Sequence, residues 1–207
     1  EGYAYAASSY GERGFAIKEA MIRTHQLTEY VIDNFGVTGK VFIIGRSLGG
    51  AIVLLLGEKY PELYDGVLDI SGVKNVTQLY VDLVALINSP GWPYTLPPDR
   101  QASFMQMVMD IEAEYGGTYD EKPQHYEKRN PVDNAEISIP IISVHGAQDP
   151  NMRPTSKQAL SYGIAVDAAG CSEYYRLYVV PGGHSNAPTI IAALSRFEEL
   201  VDYPVGW

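Results

Sequence analysis

The chain has 207 residues, 46% of them hydrophobic, with 15 Lys and Arg against 25 Asp and Glu, a net charge of −10. That apolar content supplies a sizeable core and excludes a disordered chain, and the length fits one domain or one domain with an insertion. The acidic balance argues against nucleic acid or an anionic membrane as partner, no apolar run nears the roughly 20 residues of a bilayer span, and the single Cys171 excludes a disulfide framework.

Short β-rich runs alternate with longer helical patterns. Residues 2–7 read as a first strand, followed by a helix over 15–35 that carries Ile17, Ala20, Met21, Thr24, Leu27, Val31 and Phe35 on one face. Gly36 supplies its stop. A strand over 40–44 leads into a helix from Leu48 to about Tyr60, and a third strand covers 66–70. Strands over 139–144 and 174–180 follow, and a last helix starts at Pro188 with Ile190, Ile191, Leu194, Phe197 and Val201 as its stripe. This alternation predicts an α/β architecture, a doubly wound, mostly parallel sheet with helices on both faces.

Residues 73–136 break the alternation. Two helices, 76–87 and 99–115, flank a Pro-rich bend at Ser89-Pro90-Gly91-Trp92-Pro93. The segment exceeds a simple crossover and reads as an inserted cap, leaving 1–72 and 137–207 as the core. A long structural crossover is the plainer alternative. Trp92, Tyr94, Phe104, Met105, Met107, Met109 and Tyr115 make the cap a source of apolar pocket residues, although such a stripe at helical spacing also serves plain packing.

Gly45-Arg46-Ser47-Leu48-Gly49 matches G-x-S-x-G, between the buried-strand run Val41-Phe42-Ile43-Ile44 and the helical Ala51-Ile52-Val53-Leu54. Strand, tight turn and helix together form the setting of a nucleophile elbow, which lifts a serine hydroxyl clear of the sheet. A Gly-rich structural turn is the bland reading of the same residues. Four histidines compete as base. His25 lies within a helix, His125 sits among charged residues, His145 ends a strand, and His184 follows the last strand in Pro181-Gly182-Gly183-His184. Position favours His184, because catalytic groups in open parallel sheets sit beyond the carboxyl ends of strands. For the acid, Asp149 in His145-Gly146-Ala147-Gln148-Asp149-Pro150 follows a strand directly, and Asp167 is its rival.

The order Ser47, Asp149, His184, with the motifs Gly-Arg-Ser-Leu-Gly-Gly, His145-Gly146-x-x-Asp149 and Gly182-Gly183-His184, resembles the α/β-hydrolase superfamily over nearly the whole chain. Tyr3-Ala4-Tyr5-Ala6 running into Ser8-Ser9-Tyr10-Gly11 is similar to bacterial esterases of the feruloyl-esterase and tannase-like groups. The resemblance implies a serine hydrolase acting on carboxylic esters of small molecules, without metal or cofactor. The Leu48 N–H would be one oxyanion donor, and Arg46, Trp92 and His145 are candidate substrate contacts. A peptidase or amidase with the same triad, or a non-catalytic binding module on this fold, are the alternatives. The superfamily places three strands, a helix and an oxyanion loop ahead of the strand assigned to 2–7. The expectation is therefore a preceding or separate N-terminal segment that completes the fold, or a minimal hydrolase taking its second donor from residues 8–11.

Overall fold

The structure, a computed structural model, describes residues 3–9, 15–93, 96–149, 155–184 and 186–203. Its elements in chain order are α1 (Ile17–Phe35), β1 (Phe42–Arg46), α2 (Leu48–Lys59), β2 (Gly66–Ile70), α3 (Val76–Ile87), β3 (Pro90–Pro93), α4 (Pro98–Tyr115), α5 (Pro123–Glu127), β4 (Ile141–Gly146), α6 (Ala159–Ala168), β5 (Tyr175–Val180), α7 (Ala187–Leu194) and α8 (Phe197–Val201). Four strands form one parallel sheet in the order β1-β2-β4-β5, with Ile44 opposite Leu68, Leu68 opposite Ile142, and Ile142 opposite Arg176. Every crossover steps the same way along the sheet. Right-handed connections then put α2, α3 to α5 and α6 on one face, and only beyond β5 does the chain cross to the other.

Burial follows from that order. The central strands β2 and β4 are buried along their whole length, in keeping with their largely apolar runs, which only Asp69, Ser143 and His145 interrupt. Edge strand β1 alternates, with Ile43 and Gly45 buried while Ile44 and Arg46 are exposed. Helix α2 is apolar nearly all round and has every residue from Gly50 to Gly57 buried. It joins α1, α3, α4 and α6 in the larger core, through Ile17, Leu54, Leu79, Phe104, Ile111 and Tyr162. On the opposite face Leu68, Ile70, Ile142 and Val144 meet Ala193 of α7 and Leu200 of α8. Fully burying each of the Leu, Ile and Val side chains here contributes about 1.5–3 kcal/mol before entropy is counted. Asn75 caps α3 by accepting the Gln78 N–H at 2.9 Å, and Gly36 ends α1 in the left-handed conformation.

Two expectations need correction. Residues 3–9 form no strand, and Tyr3 and Tyr5 are exposed (Gly2, Tyr10 and Gly11 lie outside the described residues). The segment instead runs over the surface, with Ser8 Oγ 3.0 Å from Thr24 Oγ1 of α1 and the Tyr3 ring edge-on to Phe197. Alternation alone does not make a strand without a neighbour to take up its backbone hydrogen bonds. The final helix is two helices, broken at Ser195 and Arg196. Two of the five residues in its expected stripe, Ile191 and Leu194, are exposed, whereas Thr189, Ala193 and Leu200 are buried.

Candidate active site

Parallel strands align their carboxyl ends, so the loops after β1, β4 and β5 open on one edge of the sheet. Ser47 follows β1 directly and stands at the N-cap of α2 with φ 56 and ψ −120. For a residue with a Cβ this conformation costs on the order of 1–3 kcal/mol, and it persists only where the surroundings enforce it. They do so here: the Ser47 N–H donates to Ile70 O at 3.0 Å, and Ser47 O accepts from Gly50 N and Val73 N, each at 3.0 Å. The hydroxyl makes no capping bond to the helix. It points to His184, with Oγ 2.9 Å from Nε2.

His184 lies in the turn between β5 and α7, its side chain about one-quarter exposed. Its Nδ1 is 2.7 Å from Asp149 Oδ2, and Asp149 has a fully buried side chain. A carboxylate only accepts, so Nδ1 carries the proton and Nε2 is free to accept the Ser47 hydroxyl. The acid and histidine loops are laced together. Gln148 N donates to Gly182 O at 2.7 Å, Gly182 N donates to Gln148 Oε1, and Thr189 Oγ1 donates to Gly183 O at 3.0 Å. They approach so closely at Gly146 that a Cβ there would overlap the carbonyls of Gly182 and Gly183. Leu48 opens α2, so its N–H is among the first four of the helix, which have no acceptor within it.

The remaining sequence candidates separate. Asp167, the rival acid, is at the far end of α6, where it accepts from Ser172 Oγ at 2.6 Å. Arg46 is exposed at the end of β1, next to Ser47. Trp92 packs on the core with its ring 6.5 Å from that of Phe104. His145, expected to touch substrate, is fully buried within the sheet. Its Nε2 lies 3.7 Å from Asp149 Oδ2, so it backs the carboxylate and does not reach the surface. The residues expected to line a cap divide: Phe104 and Tyr115 are core, Met105 and Met109 are exposed, and Tyr94 is outside the described residues. His125 is exposed, with Nδ1 2.7 Å from Tyr115 O, and His25 stacks on Tyr60. Sequence reasoning overlooked a buried ion pair below the serine, Asp69 with Lys74. An aspartate inside the otherwise apolar run Gly66-Val67-Leu68-Asp69-Ile70 was the signal.

Parallel strands crossed by helices on both faces, with the Ser47 turn, the Asp149 loop and the His184 loop in this chain order, are the arrangement of the α/β-hydrolase fold. Within it the chain belongs to the Esterase family, whose profile matches residues 4–193. Solved structures agree on the fold. A puromycin-hydrolyzing peptidase from Mycobacterium tuberculosis superposes with a TM-score of 0.65 at 15% identity, over 94% of this chain and 26% of that one. The Pyrococcus horikoshii acylaminoacyl peptidase gives 0.61 at 15% identity, over 93% and 30%. A monoacylglycerol lipase from Paleococcus ferrophilus gives 0.54 at 19% identity, over 94% and 79%. The chain thus spans under a third of these peptidases and most of the lipase. No curated protein matches it. Among the described residues no helix is long and apolar enough to cross a membrane, and no three His, Cys, Asp or Glu side chains are grouped to hold a metal ion.

Proposed function

We propose that the protein is a serine hydrolase that cleaves carboxylic esters through an acyl-enzyme. The observation that carries this reading is the unbroken relay from Ser47 Oγ to His184 Nε2 at 2.9 Å and from His184 Nδ1 to Asp149 Oδ2 at 2.7 Å. Ser47 attacks the carbonyl carbon while His184 takes its proton, then returns it to the departing alcohol; water repeats the cycle on the acyl-enzyme. Asp149 holds the imidazole in the working tautomer and stabilises the imidazolium. The Leu48 N–H, at the positive end of α2, takes the developing oxyanion. Arg46 and Trp92 serve as substrate contacts, and residues 73–136 as the cap.

Family membership favours esters. The same machinery cleaves amides, and two of the similar folds are peptidases, so the test runs both. A panel of p-nitrophenyl esters is assayed beside aminoacyl p-nitroanilides, with fluorophosphonate labelling of the parent and of Ser47→Ala. Ester turnover above amide turnover, with labelling lost in Ser47→Ala, supports the reading. A folded parent that neither labels nor turns over an ester overturns it in favour of a binding module.

A further inference from the structure

Below Ser47 lies a buried charge pair that the reaction just described does not use. Asp69 on β2 and Lys74, five residues on, are both fully buried, with Lys74 Nζ 2.5 Å from Asp69 Oδ2. From the neighbouring strand, Ser143 Oγ donates to the same carboxylate oxygen at 2.8 Å. Taking two charges out of water is costly, and well-packed apolar residues of similar volume usually stabilise a fold as well or better. The pair therefore calls for an explanation in what it holds.

What it holds is the turn over residues 70–73, whose two ends it bridges. That turn carries two of the three backbone partners of the serine: Ile70 O takes the Ser47 N–H, and Val73 N–H donates to Ser47 O. Inside it Ser71 is itself left-handed, at φ 47, so the turn would not keep this shape unaided. Asp69 Oδ1 presses against Gly50 and Gly72, at both of which a Cβ would overlap it. Lys74 is pinned along its backbone as well. Its N–H donates to the buried Gln158 Oε1 at 2.8 Å, and its carbonyl accepts from Val132 N at 2.9 Å.

We propose that Asp69 and Lys74, with Ser143, are positioning residues: their ion pair fixes the 70–73 turn, and the turn holds Ser47 at its strained backbone angles with Oγ aimed at His184. This rests on the reading of Ser47 as nucleophile. None of the three side chains touches substrate. They act through the backbone of the serine, and a displacement of about 1 Å there is enough to cost on the order of 10²-fold in rate.

A single substitution leaves an uncompensated buried charge and endangers the fold, so the informative variant is the double neutral one, Asp69→Asn with Lys74→Met. Circular dichroism and thermal melting establish that it folds. Then kcat and KM on p-nitrophenyl acetate and the rate of fluorophosphonate labelling are compared with the parent. The expected result is kcat and labelling rate both lower by about 10²-fold, with KM within about twofold of the parent. A merely structural pair would change the melting temperature and leave kcat of the folded protein alone, and that result overturns the proposal. Should the double variant fail to fold, Ser143→Ala tests the same point, since it keeps both charges and deletes one donor to Asp69. Its kcat should fall about tenfold at unchanged KM, and parental kcat there also overturns the proposal. The parent separates the two levels: an unlabelled parent refutes the nucleophile, while a labelled parent with variants at its own rate refutes only the positioning role.

Discussion

Replacing Gly50 by Ala puts a methyl group where the structure has no room for one. The new Cβ would overlap Asp69 Oδ1 and the Gly72 Cα, and a backbone atom cannot swing aside as a side chain does. Clearing the overlap takes a shift of roughly 1 Å between the start of α2 and the 70–73 turn, the two segments that grip Ser47. Gly57→Ala is the matched control, on the same helix but remote from the serine. Its Cβ would meet Val67 Cγ2 at 2.7 Å and Ile139 Cδ1 at 3.2 Å, both of them side-chain methyls. Overpacking should destabilise Gly50→Ala by about 3 kcal/mol and Gly57→Ala by about 1 kcal/mol, helix propensity offsetting part of the latter. The rates should diverge further, with kcat about 10²-fold lower in Gly50→Ala and parental in Gly57→Ala. Melting curves and p-nitrophenyl ester kinetics on the two folded proteins decide it. Parental kcat in Gly50→Ala, or equal losses in both, would refute the argument that the tight elbow sets the rate.

Three further outcomes are expected. Asp149→Asn should lower kcat about 10⁴-fold by stabilising the wrong imidazole tautomer, whereas Asp167→Asn should leave the rate alone; kinetics with the reverse ranking would move the acid to α6. Glu199 on α8 is pushed up by desolvation, but the hydrogen bonds from Tyr178 and Arg176 and the charges of Arg176 and Arg196 outweigh this and hold it below the usual carboxylate value. A depressed pKa contributes stability that is present above the unfolded value and is lost as pH falls through the folded one. Melting temperature should therefore drop more steeply below about pH 4.5 in the parent than in Glu199→Gln. Burial pushes the phenols of Tyr80, Tyr115 and Tyr126 well up, that of Tyr80 also through the hydrogen bond it donates to Glu112. Raised values contribute stability below the free phenol pKa that is lost as pH rises past it, so in an alkaline jump these rings should ionise only as fast as circular dichroism reports unfolding.

Much of this molecule is legible in its sequence because its strongest signals are local. The third strand, read as 66–70, and the helix read as 76–87 coincide with β2 and α3, since a mostly apolar run and a helical segment opened by the Asn75 cap leave few alternatives. Ser47, Asp149 and His184 could be picked out because each stands in the loop directly after a strand, and the structure brings those three side chains within hydrogen-bonding distance. What could not be read depends on partners distant in the chain. Residues 3–7 alternate like a strand, yet whether such a segment pairs is decided by its neighbours. His145 reads as the end of a strand, and only the position of β4 between β2 and β5 buries it. The tie from Ser143 to Asp69 spans 74 residues and exists only because β2 and β4 lie side by side, a pairing no local pattern announces.

The order of strands also fixes when the hydroxyl of Ser47 can first meet the imidazole of His184. Ser47 and His184 are 137 positions apart, and two further strands, β2 and β4, lie between β1 and β5, the strands that deliver them. A half-built sheet brings no imidazole near the hydroxyl, however well formed the elbow is on its own. With Ser47 as the proposed nucleophile, labelling by a fluorophosphonate should report completion of the whole sheet, among the slower events in folding because parallel pairings close long loops. On the proposed reading, a nascent or misfolded copy would carry an inert serine, and hydrolysis would begin only with the last strand in place.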